Sequence, residues 1–356
     1  MKTLAQIEPR TPISSVPFII TNAGSYYLTT NLTGTNGVTG ITISSGQATL
    51  DLSGFTLQGT TGSSDGIYVS ATYTNLIVRN GTINGWGGAG VDDYDAGYPR
   101  NAVFENLTVS GNRNLGLIVE AGTEVRDCLV INNANGGIFS AGGLILRCVT
   151  RNNAGYGFYG FYCTVSDSEA EYNAGDGFDL ANGSAKDCQS QFNTDYGFSL
   201  VQSRLINCQS DNNFTGVLAE TSGSEVRDCS VEDNSEDGID LEESSIATGN
   251  YVAGNGEFGL NVTGSYCQIL GNNCVSNGYT GIWLQSCTGN RIDNNNVSAS
   301  GDYGIFLNLT TTNNNVITRN HVGANPAANY NIPTGNDVGP IGTAATSTSP
   351  WANFSH

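Results

Sequence analysis

From Cys128 onward the chain returns to the same side chains every 20 to 25 residues. Aligned on Cys128, Cys148, Ser168, Cys188, Cys208, Cys229, Asn250, Asn272, Asn295 and Asn320, the spacings are 20, 20, 20, 20, 21, 21, 22, 23 and 25. Five residues after nearly every anchor stands an Asn, as at Asn133, Asn153, Asn173 and Asn234. A Gly follows three or four residues later, and then an apolar residue: Gly137-Ile138, Gly177-Phe178, Gly238-Ile239, Gly304-Ile305. A weaker copy runs back through Asn106 and Asn80. A unit this short cannot bury its own apolar face, so neighbouring units must stack. Stacked parallel rungs lie about 4.8 Å apart and line like residues into columns. The Asn column reads as a turn ladder, since Asn tolerates the left-handed conformation and its amide bonds the amides above and below. The apolar column fills the interior, and the Gly column permits tight turns.

The expected fold is therefore all-β: a single-stranded right-handed parallel β-helix of roughly a dozen rungs. Residues 1–40, with Pro9, Pro12 and Pro17 before Phe18-Ile19-Ile20, break the pattern and read as an N-terminal cap over the open edge of the first rung. The helix is expected over 41–325. An irregular C-terminal tail is expected over 326–356, around Pro326, Pro333, Pro340 and Pro350.

Charge excludes several partners. There are 13 Lys+Arg against 32 Asp+Glu, a formal net charge of −19. Phosphate binding needs clustered cations, so a nucleic-acid partner is not expected, nor an anionic membrane surface. No apolar run reaches the roughly 18 residues of a membrane span. With 47 Gly, long amphipathic helices are not expected either. The first nine residues hold no apolar leader core, so either the chain is not exported or a leader has been removed; scarce Lys and abundant Asn, Gly, Ser and Thr favour a secreted protein. No coiled-coil or trimerisation segment speaks for an oligomeric tailspike, and a monomer is expected. No regular Thr-x-Thr column speaks for an ice-binding array.

These columns resemble the parallel β-helix repeat of the pectin-lyase-like superfamily, including its NosD-like and carbohydrate-binding or sugar-hydrolase group, over roughly Ile41 to Asn325. The resemblance implies a scaffold shared by polysaccharide lyases, glycoside hydrolases, epimerases, phage tailspikes and non-catalytic surface proteins. It implies no single activity.

The nine cysteines are Cys128, Cys148, Cys163, Cys188, Cys208, Cys229, Cys267, Cys274 and Cys287. Five share one interior column. Cys148 and Cys188 stand two rungs apart, about 9.6 Å, beyond disulfide reach. Adjacent-rung thiols point the same way, and the total is odd. Buried thiols acting as small apolar filler are the expected answer. A Cys nucleophile also lacks a partner, because the histidines are His321 and His356 at the far end.

Residues just before the repeated Gly point outward, and so does the strand residue two beyond it. Together they give one face of mixed rings and carboxylates: Tyr156, Tyr159, Asp176, Asp179, Asp195, Tyr196, Asp237, Asp240 and Trp283 among them. Rings stack on sugar faces, and carboxylates accept sugar hydroxyls or perform acid/base work. A solvated face with aromatic ladders is the plainer reading. Within the face, Asn173-Ala174-Gly175-Asp176 and Asn193-Thr194-Asp195-Tyr196 fall on neighbouring rungs. This resembles the polygalacturonase-type glycoside hydrolases, whose NTD and DD segments occupy neighbouring rungs. The resemblance assigns catalysis to Asp176 and Asp195. Tyr196 replaces the second Asp of the pair, Phe214-Thr215-Gly216 stands where the family has Gly-His-Gly, and no Arg-Ile-Lys follows. A clamp for a uronate carboxylate is thus missing.

Between Thr82-Ile83 and Val103-Phe104 the rung swells into an insertion with Asp92, Asp93 and Asp95. These offer oxygen ligands to Ca²⁺, in a spacing unlike an EF-hand; a solvated turn is the plainer reading, and no cofactor is otherwise required. Trp86, Tyr94 and Tyr98 of the same insertion read as a wall for sugar stacking.

The function expected from the sequence is a secreted β-helix that binds or acts on a neutral or weakly charged polysaccharide along this face. If it turns substrate over, the reaction is hydrolysis by Asp176 and Asp195, with Asp179, Tyr156, Tyr159, Tyr196, Asp237, Asp240 and Trp283 holding substrate. A non-catalytic surface or adhesion solenoid and a polysaccharide lyase are the alternatives.

Overall fold

The repeat dictates a coil of three short strands per turn. A computed structural model describes residues 9–70, 74–94, 101–221, 223–308 and 312–356. One turn runs through Glu124–Arg126, Leu129–Ile131 and Gly136–Ser140. Two corners separate these strands, and each is built the same way. A residue in the left-handed region, Asp127 (φ 54°) or Asn132 (φ 56°), reverses the chain. The next residue, Cys128 or Asn133, then points inward and is buried. The left-handed position takes Asn, Asp and Gly in most turns, as sterics favour, yet it holds Tyr172 and Phe192 at φ 53°. Stacking overrides local preference there.

The chain forms two compact units, Met1–Gly175 and Asp176–His356. Each is a right-handed parallel β-solenoid, with about 15 turns in all. Among the described residues seven third strands lie in the first unit and eight in the second. Pairing is parallel and in register throughout each, as in Ile138↔Phe158 of the first unit and Phe198↔Val217 of the second. The interior is Ile, Leu, Val and Phe at essentially zero exposure, with Phe178 stacked on Phe198 at 4.7 Å.

The Asn columns are hydrogen-bond ladders. In the first unit Asn153 Nδ2 donates to Asn173 Oδ1 (3.0 Å) and Val130 O (3.1 Å). In the second, Asn255 Nδ2 donates to Asn277 Oδ1 (3.0 Å) and Val231 O (3.1 Å). A second ladder takes over where the cysteines end, from Asn250 through Asn272, Asn295 and Asn320 to Asn353. All nine cysteines are free and buried. Burial pushes Cys163, Cys267 and Cys287 up to about 11 and Cys274 up to about 12, so these thiols are filler rather than nucleophiles.

Two boundaries differ from expectation. Residues 11–33 are not a cap but the start of the winding: Thr11–Ile13 pairs with Tyr26–Leu28, and Phe18–Ile20 with Ile41–Ile43. The stretch lacks the Asn and Gly columns but keeps inward apolar residues such as Ile13, Ile20 and Leu28, which suffice to wind a rung. The tail also contributes strands. Ala328–Asn331 pairs with Tyr303–Leu307, and Asn353–Ser355 with His321–Gly323.

Candidate active site

In the second unit the third strand begins directly after the repeated Gly, and this fixes what faces outward. A Cβ on Gly177 would lie 2.0 Å from Ser190 Oγ and 2.7 Å from Gly197 O, so only Gly fits this corner. Asp176 is set outside it. Phe178 turns in and Asp179 out.

The register places Asp176 and Asp195 on adjacent turns. Gly177 N donates to Tyr196 O (2.9 Å), and Tyr196 N donates to Asp176 Oδ1 (3.1 Å). Asp176 therefore stands level with Tyr196, and Asp195 sits one residue earlier on the next turn. The two carboxyls still act on each other. Asp176, half-buried, is pushed up to about 7, by burial first and then by the Asp195 carboxylate, against the lowering pull of the Tyr196 N–H. Asp195 is exposed. Asp179 is pushed up to about 6 by burial and then by Glu220. The Tyr196 phenol is raised by burial and then by Asp195, Asp240, Asp176 and Glu220, which places it amid the carboxylates.

Two turns beyond Tyr196 the same Asp-Gly-apolar-Asp sequence forms an acid pair. Asp237 Oδ1 accepts from Phe258 N (2.9 Å) and its Oδ2 from Asn261 Nδ2 (3.0 Å). Asp240 lies beside it and is pushed up to about 8, by burial first and then by the Asp237 charge. Asp240 Oδ1 is buried without a hydrogen-bond partner. Asp176, Asp179, Asp195, Tyr196, Asp237 and Asp240 thus share the outward side of one unit. Trp283 follows two turns past Asp240, through Asp240↔Asn261↔Trp283. Its ring is held between Phe258 (4.2 Å) and Phe306 (5.4 Å).

Sequence reasoning placed Asn261 on this face but missed Glu220. Glu220 belongs to a second outward column, Ala181↔Val201↔Glu220, four residues past the Gly of its strand rather than two. Counting one more outward position along each strand would have found it.

Tyr156 and Tyr159 belong to the first unit. There they join Phe139, Phe161 and Tyr94 in a ring cluster, with Tyr156–Tyr159 at 5.0 Å and Tyr159–Phe161 at 4.9 Å. Of the insertion's carboxylates, Asp92 and Asp93 face opposite ways. Strand alternation turns Asp92 outward, where its Oδ1 accepts from Tyr94 N (3.1 Å), and Asp93 inward, where its Oδ2 accepts from Thr123 Oγ1 (3.4 Å). Asp95 and Tyr98 lie outside the described residues. Among the described residues no group of three or more His, Cys, Asp or Glu is placed to hold a metal ion. Trp86 is not a sugar wall. It is fully buried, with Nε1 donating to Leu57 O (3.1 Å).

A family model described as "Right handed beta helix region" matches residues 18–195 and 201–339. No curated protein sequence matches the chain. Among solved structures, the chain is similar to the A-module of Azotobacter vinelandii mannuronan C-5 epimerase AlgE6, at 16% identity and a TM-score of 0.50, over 89% of this chain and 91% of that one. The A-module of Azotobacter vinelandii mannuronan C-5 epimerase AlgE4 gives 16% identity and 0.49 over 89% and 91%. A pectate lyase, Pel9A, gives 14% and 0.41 over 81% and 74%. At these identities the likeness is one of fold.

Proposed function

We propose that this chain, which belongs to the right handed beta helix region family, binds a neutral or weakly charged polysaccharide on the acidic face of its second unit and hydrolyses it. The observation that carries the reading is Asp176, a half-buried carboxyl that keeps its proton to about 7 beside the exposed carboxyl of Asp195. A group with that proton affinity is suited to general acid catalysis at neutral pH. Asp176 gives its proton to the glycosidic oxygen as the bond to the anomeric carbon breaks. Asp195 takes a proton from the water whose oxygen bonds to that carbon. Tyr196, Asp179, Asp237 and Asp240 receive sugar hydroxyls around the reacting bond, and Trp283 offers an aromatic wall. The rings of Tyr156 and Tyr159 offer a stacking surface in the first unit.

Charge favours a neutral chain over a uronate. The cations of the second unit, Lys186, Arg204, Arg227, Arg291 and Arg319, all lie on first strands or at the corners after them, away from this face. A substrate of this kind is met outside the cell, in keeping with secretion.

The test is a panel of neutral and acidic polysaccharides, scored for new reducing ends and for the ultraviolet absorbance of unsaturated ends. Reducing ends without unsaturation are expected. Asp176→Asn should lower kcat by roughly 10²–10⁴, the usual contribution of a general acid. Full activity in Asp176→Asn overturns the assignment. Unsaturated products would point instead to a lyase, and binding without turnover to a surface adhesin.

A further inference from the structure

The second unit has a cavity remote from the acidic face. It lies on the first-strand side, beneath the C-terminal segment, and encloses about 470 Å³. That volume falls within the roughly 300–1,000 Å³ of small-ligand sites. Its floor is the outward column Arg291↔Val316↔Asp337 with Val338, and Thr318 and Trp351 complete the lining used here.

Charge and ring set the chemistry. The buried Asp293 carboxylate accepts from Arg291 Nη2 (2.6 Å) and is also bonded by the Arg319 guanidinium. Arg291 and Arg319 share this one buried anion, and the Asp337 carboxylate is the acidic group in the lining. Arg319 spends Nε and Nη2 on Asp293, and its guanidinium also lies over the Trp351 ring at 5.6 Å. Arg291 spends one nitrogen on Asp293, and its Nε and Nη1 make no other hydrogen bond among the described residues. Trp351 is 55% exposed beside the opening, a large ring left uncovered.

We propose that this cavity binds a ring-bearing carboxylate, with the anion on Arg291 and the ring between Trp351 and the Val316–Val338 floor. A guanidinium with spare donors suits a carboxylate oxygen, and an exposed indole suits either the C–H face of a sugar or an aromatic ring. The Asp337 carboxylate of the floor disfavours dianions. The site does not depend on the catalytic reading, since it shares no residue with the acidic face.

The test follows the indole N–H signals of Trp86, Trp283 and Trp351 by NMR while glucuronate, glucose or benzoate is added. Glucuronate or benzoate should shift one indole signal, the one lost in Trp351→Phe, and glucose should not. A response to glucuronate alone identifies a sugar acid, and a response to benzoate alone an aromatic acid. Arg291→Gln should weaken binding roughly ten- to hundredfold, as for losing a charged hydrogen bond. Because Arg291 also braces Asp293, Val316→Phe is the second variant; it fills the cavity from an outward position and should abolish the shift with hydrolysis unchanged. No shift with either carboxylate, or an undiminished shift in Val316→Phe, overturns the site.

Discussion

The outward sides of the third strands differ between the two units although the backbone is the same. In the first unit Phe139 pairs in register with Tyr159, and their rings meet Tyr94, Tyr156 and Phe161 at 4.9–6.2 Å, mostly edge to face. In the second unit the matching position is Asp179, paired with Ser199, and carboxyls take the place of rings as far as Asp240, before rings return at Phe258, Trp283 and Phe306. Rings in such a cluster satisfy one another; each edge-to-face pair adds about 0.5–1.5 kcal/mol beyond its burial. Carboxyls do the reverse. Each ionisation raises the cost of the next, and Asp176, Asp179 and Asp240 hold protons that water would have removed. The first face contributes to its own stability. The carboxyl-bearing stretch of the second is stable because the interior behind it is, and such a stretch is where chemistry is to be sought.

That contrast requires the interior to be equally strong in both units, and the largest expected effect tests it. Asn153 and Asn255 occupy the same ladder position. Each side chain makes four hydrogen bonds: its amide donates to the next Asn and to a backbone carbonyl, and its Oδ1 accepts both N–H and amide from the Asn before it. Asn153→Ala and Asn255→Ala should each lose about 3–5 kcal/mol in a denaturant titration, since buried donors are stranded in both. If one substitution is silent while the other unfolds the chain, the two faces do not rest on a common scaffold.

What was legible in the sequence was what the interior dictates. Asn133 to Asn277, the cysteine column and the Gly–apolar pairs recur because each corner admits few side chains, and the winding and the free thiols follow from them. Outward positions carry no such constraint. Hence the sequence places Asp176 and Asp195 on neighbouring rungs but not their offset, which the hydrogen bond from Tyr196 N to Asp176 sets by putting Tyr196 level with Asp176. Asp92 and Asp93 looked like a cluster until strand alternation separated them. Trp86 looked like surface, but Gly34, Gly40 and Gly59 on neighbouring rungs leave room for its indole inside. The 11–33 rungs were illegible for a related reason: without the Asn and Gly columns only the alternation of three-residue strands marks them. Glu220 was overlooked because only one outward column was followed.

A middle-sized effect concerns pH. Asp240, raised to about 8, binds a proton in the folded chain that the unfolded chain releases near its ordinary value of 3.8; Asp176 and Asp179 behave likewise up to about 7 and 6. The folded state holds more protons in this window, so stability should be greatest near pH 4 and fall as pH rises toward 8. In the first unit Glu169, raised to about 7 beside Glu171, adds to the same slope. The ion-paired Asp127 and Asp293, held below the usual range by Arg147 and Arg319, act in the opposite sense but only below 3.8. Asp240→Asn keeps the shape and removes the charge. It should raise Tm at pH 8 by about 2–4 °C and leave it unchanged at pH 4. Equal losses at both pH values would mean that the pair is ordinary packing and the contrast between the faces is one of composition alone.

The smallest effect asks whether the ring cluster is more than packing. Tyr159 touches Phe139, Tyr156 and Phe161, so Tyr159→Ala should cost about 1–2 kcal/mol of stability whatever the cluster does. Binding separates the possibilities. If the first unit's rings stack on sugar, Tyr159→Ala weakens capture of a neutral oligosaccharide by roughly tenfold, seen as a raised KM at constant kcat, and Tyr159→Phe, which keeps the ring, restores it. A stability loss with KM unchanged would confine the rings to holding their own unit together. Substrate contact would then belong to the carboxyl-bearing face alone, and the two faces would differ in role as well as in chemistry.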